Sequence, residues 1–189
     1  MRVSRGFTLI EILVVIVVIA LLVSITALNS DSDPREDLLK NEASKVKFFL
    51  ENLTDEAILN SKNIAAHLTV SGIGVYSWEK KTNLEKDDES SSNENEKDQW
   101  AWASYQSRNV EPLSLENDIE FKLSINESEV FLQSSIEKEK DINPQIIIQS
   151  SGIQTISQIK LVIDDYDRHI KIQSNGAGRY KVGDLTDAL

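Results

Sequence analysis

Glu11 is the residue whose type and setting most demand a chemical explanation. It lies five residues into the run from Phe7 to Leu28, a stretch of 22 residues that is otherwise almost wholly apolar. A carboxylate at that depth in hydrocarbon costs about 2–3 kcal/mol on insertion scales and calls for a partner. A bare snorkelling acid is the simpler account; a cation at the same depth is the sharper one. A chain cut after Gly6 would begin at Phe7, with its new amine at the top of the same apolar rod. The amine of one subunit could then pair with Glu11 of a neighbour and fix their axial stagger. That chemistry is ion pairing between molecules, not catalysis.

Other chemically capable residues are sparse. The chain has no Cys, which excludes a disulfide scaffold, a thiolate zinc site, an iron–sulfur cluster and a cysteine nucleophile. Its two histidines, His67 and His169, are far apart in sequence, which argues against a zinc-type catalytic centre. No nucleophile elbow, HExxH, P-loop or GxGxxG motif occurs; Asn175-Gly176-Ala177-Gly178 contains GxG alone and reads as a hairpin turn. Asp164, Asp165 and Asp167 are clustered carboxylates of a kind calcium favours, but no glycine-bearing calcium loop follows, so they read as solvated turn acids. The sequence therefore implies no catalytic residue, no cofactor and no metal.

Charge limits the partners. With 20 basic and 31 acidic side chains the formal net charge is −11, which opposes bulk neutralisation of phosphates. Arg168, His169, Lys171, Arg179 and Lys181 give the C-terminal hairpins a basic tint that would suit DNA, but Asp164, Asp165, Asp167 and Asp184 dilute it. DNA binding is thus a minority reading.

The elements that must position these groups begin with the apolar run itself. As a helix it spans roughly 30 Å, the thickness of a bilayer hydrocarbon core. Its Val and Ile content would suit a strand in water, but in lipid only a helix satisfies its own backbone. Arg2 and Arg5 precede it and Asp31 and Asp33 follow, so the positive-inside rule places residue 1 in the cytoplasm and the rest across the membrane. A secretory signal peptide is the competing interpretation, with Ser24–Ala27 a weak cleavage region; the long apolar run and Gly6 placed before it disfavour that.

Beyond it, Asp33-Pro34-Arg35-Glu36 is a helix start, with Asp33 as cap and Pro34 in the first position. Leu39, Ala43, Val46, Leu50, Leu53 and Ala57 form an apolar stripe, which Phe49 and Ile58 widen; Phe48-Phe49 reads as core filling, and the helix should fade near Asn60-Ser61. Residues 29–33 are the place for a break or kink between the two helices, though Pro34 does not prevent one long curved helix. The period then changes to two. Strands are predicted at 64–70 and 73–78, joined near Ser71-Gly72, and at 99–104, 119–125, 130–132, 145–149 (three Ile, buried on both faces), 159–164, 169–173 and 179–182. The picture is an α+β domain, a long N-terminal helix on antiparallel sheets. Residues 79–99 hold eight acids and four Lys with Leu84 the one apolar side chain, too little to order a segment, so they read as a flexible loop inside a hairpin. Trp78, Trp100 and Trp102 flank it, either as hairpin packing or as a partner-facing aromatic patch.

Arg5-Gly6-Phe7-Thr8-Leu9-Ile10-Glu11 resembles the class III signal of type IV pilins and type II secretion pseudopilins. The resemblance implies a leader of residues 1–6 cut by a prepilin peptidase between Gly6 and Phe7, N-methylation of Phe7, and Glu11 as assembly residue. It implies a transmembrane and assembly helix over 7–28 and a periplasmic globular domain over 29–189. The chain would sit in the inner membrane as a single-pass protein, then move into the periplasmic filament on assembly. Its partners would be other major and minor pseudopilins through the N-terminal helix, the inner-membrane assembly platform and the lipid bilayer. In the exported part, the Asp55–Asn60 phrase, Trp100 and the late Ile148-Gln149-Ser150-Ser151-Gly152 turn resemble the GspH/FimT group, implying a minor pseudopilin near the tip of a pseudopilus; the 79–99 stretch looks like an insertion. The alternative within the same fold is a minor pilin of a type IV pilus serving assembly, adhesion, twitching or DNA uptake. Lack of a C-terminal disulfide loop, common in such pilins, tilts the reading toward secretion.

Overall fold

The computed structural model describes residues 8–27, 33–80, 100–116, 118–134 and 142–187. The chain divides into two units, residues 1–37 and 38–189. Helix α1 (Leu9–Ala27) belongs to the first. Helix α2 (Pro34–Leu59) starts where the sequence predicts. The Arg35 N–H donates to Asp33 Oδ1 at 3.0 Å, and Pro34 takes the position where a missing N–H costs nothing.

The end of α2 is also set locally. Ser61 has φ +52°, the Ser61 N–H donates to the Ile58 carbonyl, and the Lys62 N–H reaches back to the Ala57 carbonyl. This pair of bonds is a Schellman stop, here built on Ser rather than Gly. Between the two ends, Leu39, Ala43, Val46, Leu50, Leu53 and Ala57 are all fully buried, as their spacing predicts.

Phe48 departs from expectation: it is 67 % exposed, and only Phe49 is half-buried. Two residues past Val46, Phe48 falls on the far side of the helix, since residues at i and i+2 do not share a face. Ile58 is likewise 47 % exposed at the stripe's margin.

The described strands are β1 (Ile64–Leu68), β2 (Gly72–Lys80), β3 (Trp100–Ser104), β4 (Leu113–Ser114), β5 (Ile119–Ile125), β6 (Ser128–Val130), β7 (Ile146–Ile148), β8 (Ser157–Ile163), β9 (Arg168–Ser174), β10 (Tyr180–Val182) and β11 (Thr186–Asp187). They form two antiparallel sheets, ordered β3-β2-β1-β7 with β4 on β2, and β10-β9-β8-β5-β6 with β11 on β9. The two short strands β4 and β11 carry no alternation long enough to predict. Strand β2 runs through Glu79 and Lys80, which the sequence reading assigns to the loop; the rest of that segment, residues 81–99, lies outside the described residues, as does residue 28. Strand β7 is buried on one face only. It pairs with β1 and is bridged on its other side through Ile148 to Gln154; by strand alternation Ile146 and Ile148 are fully buried while Ile147, on the opposite face, is 40 % exposed.

One core joins the stripe of α2 to the inward residues of both sheets, among them Ile64, Leu68, Ile146, Leu123, Leu161 and Ile172. Polar ties fix α2 to the sheets. Tyr105 Oη donates to Glu56 Oε1 at 2.8 Å, the Tyr180 N–H donates to Glu51 Oε1 at 3.0 Å, and Thr54 Oγ1 lies 3.4 Å from Gln154 Oε1.

Candidate assembly and partner surfaces

The start of α1 is built by Thr8. Its Oγ1 accepts from the Glu11 N–H at 3.3 Å, and its carbonyl accepts from the N–H groups of Glu11 and Ile12. Thr8-Leu9-Ile10-Glu11 is therefore a capping-box sequence, a signal present in the chain itself. Glu11 sits in the first helical turn with its side chain exposed. Negative charge is favoured there by the helix dipole. Gly6 and Phe7, the expected cleavage and methylation positions, lie outside the described residues.

The outward-facing side chains described along α1, from Leu9 to Leu22, are exposed and apolar apart from Glu11. Among the described residues no helix is long and apolar enough to cross a membrane, the described side chains of the run ending at Leu22.

In the globular unit, β2 and β3 bring the three tryptophans onto one face. Trp78 lies directly opposite Trp102, and Lys80 opposite Trp100. The Trp78 and Trp102 rings meet edge to face, 5.0 Å apart at 62°. Trp100 and Trp78 remain 52 % and 39 % exposed. Strand β3 is at the sheet edge, so this aromatic group borders open solvent. A shallow groove runs beside it, lined by Ser61, Lys62, Asn63, Glu79 and Trp100. Glu79 is held there by Ser77 Oγ at 2.8 Å and by Lys62 Nζ at 3.1 Å. The Ser77 hydrogen bond, then Lys62, lower its pKa below the ordinary carboxylate value.

The remaining sequence candidates do not converge. Asp164, Asp165 and Asp167 sit exposed at the β8–β9 turn, where Asp164 Oδ1 accepts from the Asp165 N–H. Among the described residues no group of three His, Asp or Glu side chains is placed to hold a metal ion. Of the basic C-terminal residues, Arg168 pairs with Asp187 at 3.2 Å, His169 is buried, and Arg179 lies in a separate hairpin. Lys171 and Lys181 share the outer face of the second sheet, Lys181 standing opposite Gln173, two residues along β9 from Lys171.

A family described as the prokaryotic N-terminal methylation motif matches residues 1–27. Type II secretion system protein H of Pseudomonas aeruginosa is 38 % identical over 68 residues, which is 36 % of this chain and 40 % of that protein. The match therefore spans well under half of the relative's length. In three dimensions, the minor pseudopilin EpsH of the type II secretion system of Vibrio cholerae superposes with TM-score 0.56 at 13 % identity, covering 82 % of this chain and 99 % of that one. The solution structure of GspH from E. coli gives TM-score 0.51 at 14 % identity, covering 84 % and 94 %. The fold is the α+β pilin-like fold of those two structures. In this chain the segment matching the N-terminal methylation motif carries Glu11, and the globular unit carries the tryptophan face on its first sheet.

Proposed function

We propose that this chain is a minor pseudopilin of the type II secretion system, assembling near the tip of a periplasmic pseudopilus that exports folded proteins across the outer membrane. One observation carries the reading: an N-terminal methylation motif precedes a globular unit with the fold of H-type minor pseudopilins. The similarity to protein H supports the same assignment.

In this reading a prepilin peptidase cuts between Gly6 and Phe7 and the Phe7 amine becomes methylated. The helix from residue 7 to 28 anchors the chain in the inner membrane and then enters the filament. Its Glu11 pairs with the amine of a neighbouring subunit, so the chain is structural and performs no catalysis. Major and minor pseudopilins are its filament neighbours, and the inner-membrane platform inserts it among them. Trp78, Trp100 and Trp102 form a lateral contact in the globular layer.

The test is a clean deletion with complementation, scored in parallel for exoproteins in the medium, twitching and transformation. Loss of exoproteins with intact twitching supports the assignment. Loss of twitching or DNA uptake with normal secretion would instead make the chain a type IV minor pilin.

A further inference from the structure

The outer face of the second sheet holds an arrangement that works against the sheet itself. Lys122 on β5 lies directly opposite Lys160 on β8, and Lys160 lies directly opposite Lys171 on β9. Three lysines on three adjacent strands thus form one row across the sheet, at the strand spacing of roughly 4.8 Å. Like charges placed directly opposite one another destabilise a sheet. The alternation leaves no doubt about their face: Phe121, Leu123, Ile159, Leu161, Ile170 and Ile172, their chain neighbours, are buried in the core. Among the described residues none of the three lysines makes an ion pair. Lys181 extends the same face, since it pairs with Gln173 two residues beyond Lys171.

His169 borders the row. It is 8 % exposed, and its Nε2 has no hydrogen-bond partner among the described residues. Burial first, then Lys171, Lys160 and Lys122, hold its pKa below the ordinary histidine value. The imidazole thus lies within reach of the lysine row that the register places beside it, with Glu120 on the same face two residues from Lys122. Beside the row, Ser124, Asn126, Gln158 and Gln173 line a shallow depression that reaches Lys160, with Glu127 also in its lining. These side chains can donate to and accept from a peptide backbone.

We propose that this face docks a carboxylate-rich segment of a partner protein, with Lys122, Lys160 and Lys171 as the contact row. Charge complementarity selects the occupant. A row of amines in a chain of net charge −11 is a local inversion of sign that discrete carboxylates can fill. A nucleic acid fits less well. Its phosphates continue in both directions, whereas Glu120 on β5 and Glu129 on β6 close one border of the face. The inference stands on the sheet register and is independent of which secretion or pilus machine the chain serves.

The experiment uses the full chain in detergent micelles and a fluorescently labelled deca-glutamate peptide as probe, read by anisotropy at low salt. Binding that weakens as salt rises is expected, with Lys160→Gln lowering affinity roughly tenfold. The same variant should melt no lower than the parent, because it removes a repulsion; a damaged fold would melt lower. The imidazole signals of His169 should titrate at higher pH when the peptide is bound, and this readout needs no variant. Absence of peptide binding at low salt overturns the proposal, as does unchanged affinity in Lys160→Gln. Tighter binding of a short DNA duplex through the same lysines would replace the acidic peptide with a nucleic acid.

Discussion

The hydroxyl of Thr8 accepts a hydrogen bond from the backbone N–H of Glu11, 3.3 Å away, at the first turn of α1. Glu11 therefore has a local reason to be where it is, as the third helical residue of a capping box, as well as a proposed intermolecular one. The two roles separate by substitution. Gln also suits the third position of a capping box, so Glu11→Gln keeps the local signal and removes the charge. If ion pairing drives assembly, Glu11→Gln is inserted and cleaved normally but co-purifies poorly with the other pseudopilins. Thr8→Ala removes the cap, costing about 1 kcal/mol of helix stability, and leaves assembly closer to normal. Crosslinking yields in membranes compare the two, and normal assembly of Glu11→Gln would end the charge-pairing account.

A second prediction concerns Tyr105 and Glu56. Glu56 is 9 % exposed, and the Tyr105 hydroxyl donates to it at 2.8 Å. Burial, followed by this carboxylate, raises the Tyr105 pKa. Tyr105→Phe deletes the donor and leaves a buried carboxylate short of a partner, which costs about 1–3 kcal/mol. Adding Glu56→Leu to Tyr105→Phe should recover part of that loss, because no buried charge then remains unmet. Urea unfolding of the single and double variants checks the ordering.

The exposed Trp100 gives a third. Half of its surface is in solvent, so Trp100→Ala should change stability by no more than about 0.5 kcal/mol. Trp102→Ala also removes the ring contact with Trp78 and should cost about 0.5–1.5 kcal/mol more. A lateral contact in the filament predicts that folded Trp100→Ala loses co-assembly. Equal recovery of parent and variant in the assembled fraction would reduce these residues to hairpin packing.

Much of the fold was legible because periodicity survives wherever one face is buried. The α2 stripe and β5, β8 and β9 follow directly from spacing. Phe48 departs from the core because adjacency to Phe49 in sequence says nothing about sharing a helix face. The exposure of Ile147 is not legible because a run of three Ile looks the same whether one face of the strand is covered or both. The lysine row was invisible for a different reason. Lys122, Lys160 and Lys171 are unremarkable outward positions one strand at a time, and only the pairing register brings them abreast. Tyr105 and Tyr180 met Glu56 and Glu51 through tertiary packing, which no local pattern encodes.

Gly178 supplies a fourth prediction, on the predicted C-terminal turn. Its φ is +80°, and a Cβ there would stand 2.7 Å from Thr54 Cγ2. Gly178→Ala meets both a left-handed backbone and a clash with α2, so a loss of roughly 2 kcal/mol or more follows. Trimming Thr54 to Ser removes the clashing methyl, and the double variant should recover the steric part while keeping the backbone part. Thermal melts of the two variants separate these contributions.

The last prediction is a pH dependence centred on His169. The groups around it are Lys171 on its own strand, Lys160 on β8 and Lys122 on β5, with Thr186 opposite on β11 and the Arg168–Asp187 pair alongside. Its pKa is lowered in the fold, by burial first and then by the three lysines. The unfolded chain keeps the ordinary value of about 6.5 and so binds the proton more readily. Stability contributed by neutral His169 is therefore present above that value and is lost as pH falls below it. Replacing the imidazole by a group that cannot titrate should flatten this loss. His169→Asn is expected to be less stable than the parent at pH 7.5, where a buried ring is lost, yet to lose less further stability on going to pH 5.5. Urea midpoints at the two pH values measure the difference, and parallel losses in parent and variant would show that His169 does not carry the acid sensitivity.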